Sequence, residues 1–187
     1  MPPTFILVRH AEGTHNLAAE TEGDAAYHNP LYKDARLTDK GALQAQDAGK
    51  LIANICSKAV AVWSSPLTRC IQTSKHIMKS VKVRDGTMFV HDYLIERQRK
   101  KDICNFRADA LEIKAEWPEF STEFLPDVAA HWDEDEPQHV VKMRVNMLLE
   151  HLKRKYTSGT IIVVSHFETL FEVVGRGLNN AEFVVWS

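Results

Sequence analysis

Four basic side chains of two kinds carry the chemistry in this sequence, and each follows an apolar run or a turn after one. Arg9 and His10 end the stretch "FILVRH", Arg69 follows "SSPLT", and His166 follows "TIIVVS". Arginine stays charged at any physiological pH, and its planar fork holds two phosphate oxygens at once. A neutral histidine can attack phosphorus, and helix N-termini add free N–H groups and partial positive charge. Together the four would make an oxyanion site with its own nucleophile. Each alone has a plainer reading. A histidine after a strand is commonly structural, and Arg69 lies near a helix start, where the dipole does not favour a cation. Their joint occurrence is the informative part.

The elements that must position them are legible from hydrophobic pattern. Thr4–Val8 is a continuous apolar, β-branched run, the mark of a strand buried on both faces. Thr38 caps a helix from about Asp39 to Ile55, with Ala45, Ala48, Ile52 and Ile55 at helical spacing. "KAVAVW" (Lys58–Trp63) reads as a second buried strand. Ser65 then serves as N-cap and Pro66 as first residue of a helix carrying Leu67, Cys70, Ile71, Ser74 and Met78 on one face. Val81–Val90 gives a weaker strand signal. Residues 91–137 are irregular, with Pro118, Pro126 and Pro137, and read as an insertion forming a cap or lid over a single domain spanning 1–187. Val140–Tyr156 is an amphipathic helix and Thr160–Val164 a third buried strand. Ser165 and Glu168 have capping-box spacing for the helix that follows, and Glu182–Trp186 closes the fold as a strand. Alternating strands and helices imply a mainly parallel sheet covered on both faces, a three-layer α/β/α sandwich. In such sheets ligands bind beyond the carboxyl ends of the strands, where Arg9, His10, Arg69 and His166 fall.

Composition narrows the class. The chain has 187 residues, 44% hydrophobic and 26% charged, enough apolar material for one core. A net charge of -2 argues against a nucleic-acid partner. The run "RQRKK" (Arg97–Lys101) and the acidic run Asp133–Glu136 read as solvated loops. Three scattered cysteines, Cys56, Cys70 and Cys104, form no zinc pattern and suggest reduced thiols. "MPPTFILV" is no signal peptide, and no apolar stretch nears the roughly 20 residues of a membrane span, so a cytoplasmic protein is expected.

In order, "RHAEGTHN", "LTDKGALQAQ", "SSPLTRCIQT", "YLIER" and "VVSH" resemble the histidine phosphatase superfamily, which includes the phosphoglycerate mutases. The resemblance runs from Phe5 to the end. It is nearest to the small fungal and plant phosphoglycerate-mutase-like branch that reads "RHAxGxHN". It implies that His10 is the nucleophile that becomes phosphorylated, while Arg9, Arg69 and His166 hold the phosphoryl oxygens. It implies further that Asn16 contacts phosphate or substrate and that Glu96 donates a proton to the leaving group. No metal and no cofactor are expected, because Arg9, Arg69 and a protonated His166 supply the positive charge.

Other positions are set by comparison with that branch. Ala11 is shared with it. Arg107 in "ICNFR" matches the branch's Cys-Asp-x-Arg arginine and is a candidate anion contact, although Asn105 replaces its aspartate. Phe167 stands where many relatives have a small residue, so it either packs or faces the substrate. His15 either packs locally or contacts the ligand, and Glu182 in "NNAE" has a structural part at most. The expected reaction is hydrolysis of a small phosphomonoester in two steps through phosphohistidine. Sugar phosphates, nucleotides and phosphoproteins fit equally. A phosphoglycerate mutase, disfavoured by chain length, and a non-catalytic phosphate-binding or interaction module are the alternatives. The apolar "FVVW" end offers a surface for a homodimer.

Overall fold

The computed structural model describes residues 2–129 and 133–186. The first strand, β1 (Thr4–Arg9), alternates its side chains between two cores. Phe5 and Leu7 enter one, Ile6 and Val8 the other, and all four are fully buried. A strand buried on both faces needs helices on both sides, and the chain supplies them.

After β1 come α1 (Thr14–Glu22), α2 (Ala25–His28) and α3 (Asp39–Ile55). The first two were not visible in the sequence, because α1 buries only His15 and so has no apolar periodicity. Thr38 caps α3 as expected, accepting from Gly41 N at 2.9 Å. The expected strand at 58–63 is two: β2 (Lys58–Ala59) and β3 (Ala61–Ser64), separated at Val60. Next come α4 (Thr68–Ile77), β4 (Lys82–Val83) and β5 (Met88–Val90). The Val81–Val90 signal thus divides as well, because Gly86 turns the chain at φ +73° between β4 and β5. Strands β2 and β4 pair with each other in a small parallel sheet.

The remaining elements are α5 (Ala110–Glu116), β6 (Phe120–Ser121), α6 (Gln138–Lys155), β7 (Thr160–Ser165), α7 (Phe167–Val174) and β8 (Phe183–Trp186). The main sheet runs β6-β5-β3-β7-β1-β8, parallel throughout except for the antiparallel edge strand β8. Helices α3, α4 and α5 send Ile52, Ile71 and Ile113 to one face, and α6 sends Val145, Leu149 and Leu152 to the other. The three-layer α/β/α expectation is borne out. Each such fully buried aliphatic side chain contributes about 1.5–3 kcal/mol of transfer free energy.

Residues 91–137 divide between two tasks. Phe120 and Ser121 extend the sheet and Ala110 and Ile113 fill its core, whereas Arg99, Asp102, Cys104 and Asn105 reach the cavity described below; residues 130–132 of that segment lie outside the described part. The acidic run is not wholly solvated. Asp133–Asp135 are exposed, but Glu136 is fully buried against Arg144, whose Nε donates to Glu136 Oε1 at 2.8 Å. Gln98 likewise turns inward from the basic run, because its side chain donates to Glu96 O. Among the described residues no helix is long and apolar enough to cross a membrane.

Candidate active site

Adjacent parallel strands β1, β7 and β3 end together, and this brings His10, His166 and Arg69 to one place. Arg9 pairs in register with Ser165, and His10 N donates to Ser165 O at 2.9 Å. The His10 and His166 rings meet edge to face with centroids 5.0 Å apart, and the His15 ring lies 5.8 Å from that of His10. A cavity of about 340 Å³ opens over His10 and Arg69, lined also by Arg9, His15, Asn16 and Glu96, with Phe167 at the start of α7; His166, fully buried behind His10 and Arg69, does not line it.

The His10 backbone is tied down on several sides. Its carbonyl accepts from Ala181 N and Asn180 Nδ2, Arg9 N donates to Glu182 O, and Ala11 N donates to Thr73 Oγ1. The "NNAE" and "RCIQT" segments therefore hold the His10 peptide. The "LTDKG" segment holds the next turn. Thr38 Oγ1 and Lys40 Nζ both donate to the Glu12 carboxylate, and Gly41 passes so near that a Cβ there would sit 2.1 Å from Glu12 O.

Hydrogen bonding fixes the ring tautomers. His10 Nδ1 lies 2.8 Å from Ala11 O, and a carbonyl only accepts, so Nδ1 carries the proton and Nε2 keeps its lone pair. Arg69 Nη2 lies 3.1 Å from His166 Nδ1, and a guanidinium only donates, so that Nδ1 is bare. His166 Nε2 then donates to Ser65 Oγ at 2.7 Å. Burial, followed by the Arg69 charge, pushes both rings well below the ordinary imidazole range, and the same causes push His15 down to about 2. The expectation of a protonated His166 is therefore corrected: beside Arg69 the ring is neutral, and the positive charge resides on the arginines.

Those arginines lack counter-ions. Arg69, 1% exposed, donates to Cys104 O, Asn105 Oδ1 and His166 Nδ1, all neutral acceptors. Arg9 donates to Leu178 O and lies over the Phe167 ring at 5.0 Å. Among the described residues neither has a carboxylate within 4.0 Å. The Nε atoms of both are buried without a hydrogen-bond partner. One buried and one half-buried guanidinium, neither ion-paired, beside a neutral histidine give a concentration of positive charge that suits an anion.

Glu96 sits at the start of α7. Its Oε1 accepts from Thr169 N, Thr169 Oγ1 and Arg97 N, and its Oε2 accepts only from Glu168 N at 3.3 Å. It thereby replaces the expected Ser165–Glu168 capping box. Ser165 ends β7 and donates to Leu94 O, while Glu168 Oε1 accepts from Arg99 Nη2. The expected Ser65–Pro66 helix start is corrected too. The first helical residue of α4 is Thr68, because Ser65 is committed to His166 and the Asp34 carboxylate accepts from Thr68 N and Oγ1, both at 2.8 Å.

Asn16, His15 and Phe167 line the cavity. Asn16 Oδ1 accepts from Gly13 N at the start of α1. Arg107 does not reach it. Its side chain is buried in an ion pair with Asp92, at 2.8 Å from Nε to Oδ1, with Ala108 O and Pro126 O taking its other donors. It lines a separate cavity and is no anion contact. Asn105, which stands in for the branch's aspartate, is the one that reaches in and accepts from Arg69. Sequence reasoning missed Asn105 in that part, along with Ser65, Asp34 and Asn180; only the dense polar spacing around each apolar run hinted at them.

Comparison with known proteins agrees. The family model for the histidine phosphatase superfamily (branch 1) matches residues 5–180, and the chain belongs to that superfamily. A phosphoglycerate mutase-like protein of Arabidopsis thaliana is 29% identical over 99% of this chain and 57% of its own length. A 2,3-bisphosphoglycerate-dependent phosphoglycerate mutase of Bartonella henselae is 23% identical over 98% of this chain and 86% of its own. The ecdysone phosphate phosphatase of Bombix mori, solved with tungstate, shares the fold at a TM-score of 0.73 and 17% identity, over 98% of this chain and 88% of that one. The chain spans about half or less of several curated relatives it matches: 27%, 29% and 52% of their lengths. The family resemblance read from the motifs is borne out.

Proposed function

We propose that the protein is a metal-independent phosphomonoesterase that works through a phosphohistidine on His10. The observation that carries this is the pairing of a neutral His10, its Nε2 lone pair free, with a buried Arg69 and a half-buried Arg9, neither in an ion pair with a carboxylate. The Nε2 lone pair attacks phosphorus in line as the ester oxygen departs. Charge spreading over the equatorial oxygens is met by Arg9 and Arg69, which need not reorganise. Glu96 gives the departing oxygen a proton from Oε2, the oxygen with the fewer hydrogen bonds, and later takes one from the water that attacks the phosphohistidine.

The test is turnover of p-nitrophenyl phosphate by the wild-type protein, unaffected by EDTA and inhibited by vanadate, with ³²P from labelled substrate trapped on His10 after denaturation at alkaline pH, where the N–P bond survives. Undiminished turnover by His10→Ala would overturn the assignment. The mutase relative favours a second reading, in which phosphohistidine passes its group to another hydroxyl. Rapid formation of 2-phosphoglycerate from 3-phosphoglycerate and a trace of the bisphosphate would establish that instead. We also propose an intracellular site of action, since all three cysteines are free thiols.

A further inference from the structure

The cavity is electrically divided, and its two halves ask for different parts of a substrate. At the strand ends, Arg9 and Arg69 have no counter-ion. The other half holds Glu96, Asp102, Glu168 and one further arginine, Arg99. Arg99 is already spoken for: Nη2 donates to Glu168 Oε1 at 2.5 Å and Nη1 to Asp102 Oδ2 at 3.5 Å. No other lysine or arginine lines this cavity among the described residues. Lys100 and Lys101 line an adjoining depression, where Asp133, Glu134 and Asp135 face them.

Glu168 Oε2 is buried with no hydrogen-bond partner, and Arg97 Nη1 lies 3.8 Å from it, beyond hydrogen-bond reach but within ion-pair range. An anionic group on the leaving alcohol would have to sit beside three carboxyl groups and compete with two of them for one arginine. Hydroxyl groups would instead donate to those carboxylates. The rings of Tyr27 and Phe167 also line the wall and suit the C–H faces of a carbon skeleton.

We infer that this site takes monophosphates whose leaving group is uncharged and hydroxyl-bearing, of the sugar or polyol class, and that Glu168 and Asp102 reject leaving groups carrying a carboxylate or a second phosphate. The inference rests on the phosphatase reading for its location but not for its test.

The experiment compares kcat/KM of the wild-type protein for glycerol 2-phosphate and glucose 6-phosphate with that for 3-phosphoglycerate and 2,3-bisphosphoglycerate, and includes phosphoethanolamine. We expect the uncharged leaving groups to lead the anionic ones by at least about tenfold, the scale of one charge contact. Glu168→Gln and Asp102→Asn, made separately so that one misfolded variant does not decide the matter, should each narrow that ratio. Equal or better turnover of 3-phosphoglycerate, or a ratio unmoved in both variants, overturns the inference. So does a lead for phosphoethanolamine, which would assign a cationic leaving group. If the wild-type protein turns over none of the esters, the phosphatase reading fails, and calorimetric binding of the same esters still gives the order of preference.

Discussion

Arg69 donates from Nη2 to His166 Nδ1 at 3.1 Å, so one buried cation on the cavity wall sets the tautomer of the second histidine. The same guanidinium holds Cys104 O and Asn105 Oδ1 through separate donors. A lysine could restore the charge but not this fork. Arg69→Lys should therefore lower kcat/KM for p-nitrophenyl phosphate by about 10²–10³, the scale of losing one preorganised oxyanion donor. A near-wild-type value would mean that charge alone suffices.

Ser65 closes the chain of hydrogen bonds from Arg69 through His166. Its hydroxyl accepts from His166 Nε2 at 2.7 Å and from Leu67 N at 3.3 Å. Ser65→Ala strands a fully buried N–H and should cost about 1–3 kcal/mol in urea unfolding. With the ring no longer fixed, kcat should fall while KM holds. An unchanged kcat would reduce His166 to packing.

Gly41 reverses the usual rule for helices. Replacing an interior helical glycine by alanine ordinarily gains up to about 1 kcal/mol. Here the added Cβ would lie 2.1 Å from Glu12 O, against the backbone of the turn that follows His10 and Ala11. Gly41→Ala should be net destabilising, because overpacking against backbone costs about 1–3 kcal/mol. Activity should fall with it. A higher urea midpoint for Gly41→Ala would contradict the close approach.

What could be read from sequence here was what repeats along the chain. Phe5, Ile6, Leu7 and Val8 announce a strand buried on both faces whatever its neighbours are. The strand ends then locate Arg9, His10 and His166, since a parallel sheet gathers its carboxyl ends. Contacts between distant polar residues leave no such periodicity. Asp34 standing in as the cap of α4, Asn180 on His10 O and Glu96 across the start of α7 depend on how loops cross, which hydrophobic spacing does not encode. Arg107 shows the same limit from the other side. Its motif position suggested an anion contact, but Asp92, fifteen residues earlier, captures it.

That capture has a measurable consequence. Arg107 is buried, and Asp92 retains some solvent, so removing the arginine leaves a carboxylate that can partly rehydrate. Arg107→Met should cost about 3 kcal/mol, the low end for breaking a buried pair. KM for p-nitrophenyl phosphate should stay unchanged in the folded variant. A raised KM with intact stability would return Arg107 to the substrate.

Acid should weaken the fold before it protonates ordinary carboxylates. His10, His15 and His166 are all held neutral when folded, by burial first and then by Arg69. In the unfolded chain they take up protons near pH 6.5. Below that pH the unfolded state binds more protons than the folded one, so stability is fully present above it and is lost as pH falls. Each ring contributes a slope approaching about 1.4 kcal/mol per pH unit in that window. Glu12 and Glu119, held low by Lys40 and Lys75, act in the same sense but only below about pH 4.5. Asp34 and Asp102, both raised by burial, oppose them. Urea midpoints should therefore drop steeply between pH 6.5 and 5, and His15→Gln should flatten the drop, because one ring no longer titrates on unfolding. A flat profile across that window would mean that the native rings do take up protons, and the neutral His10 on which the phosphohistidine mechanism depends would be lost with them.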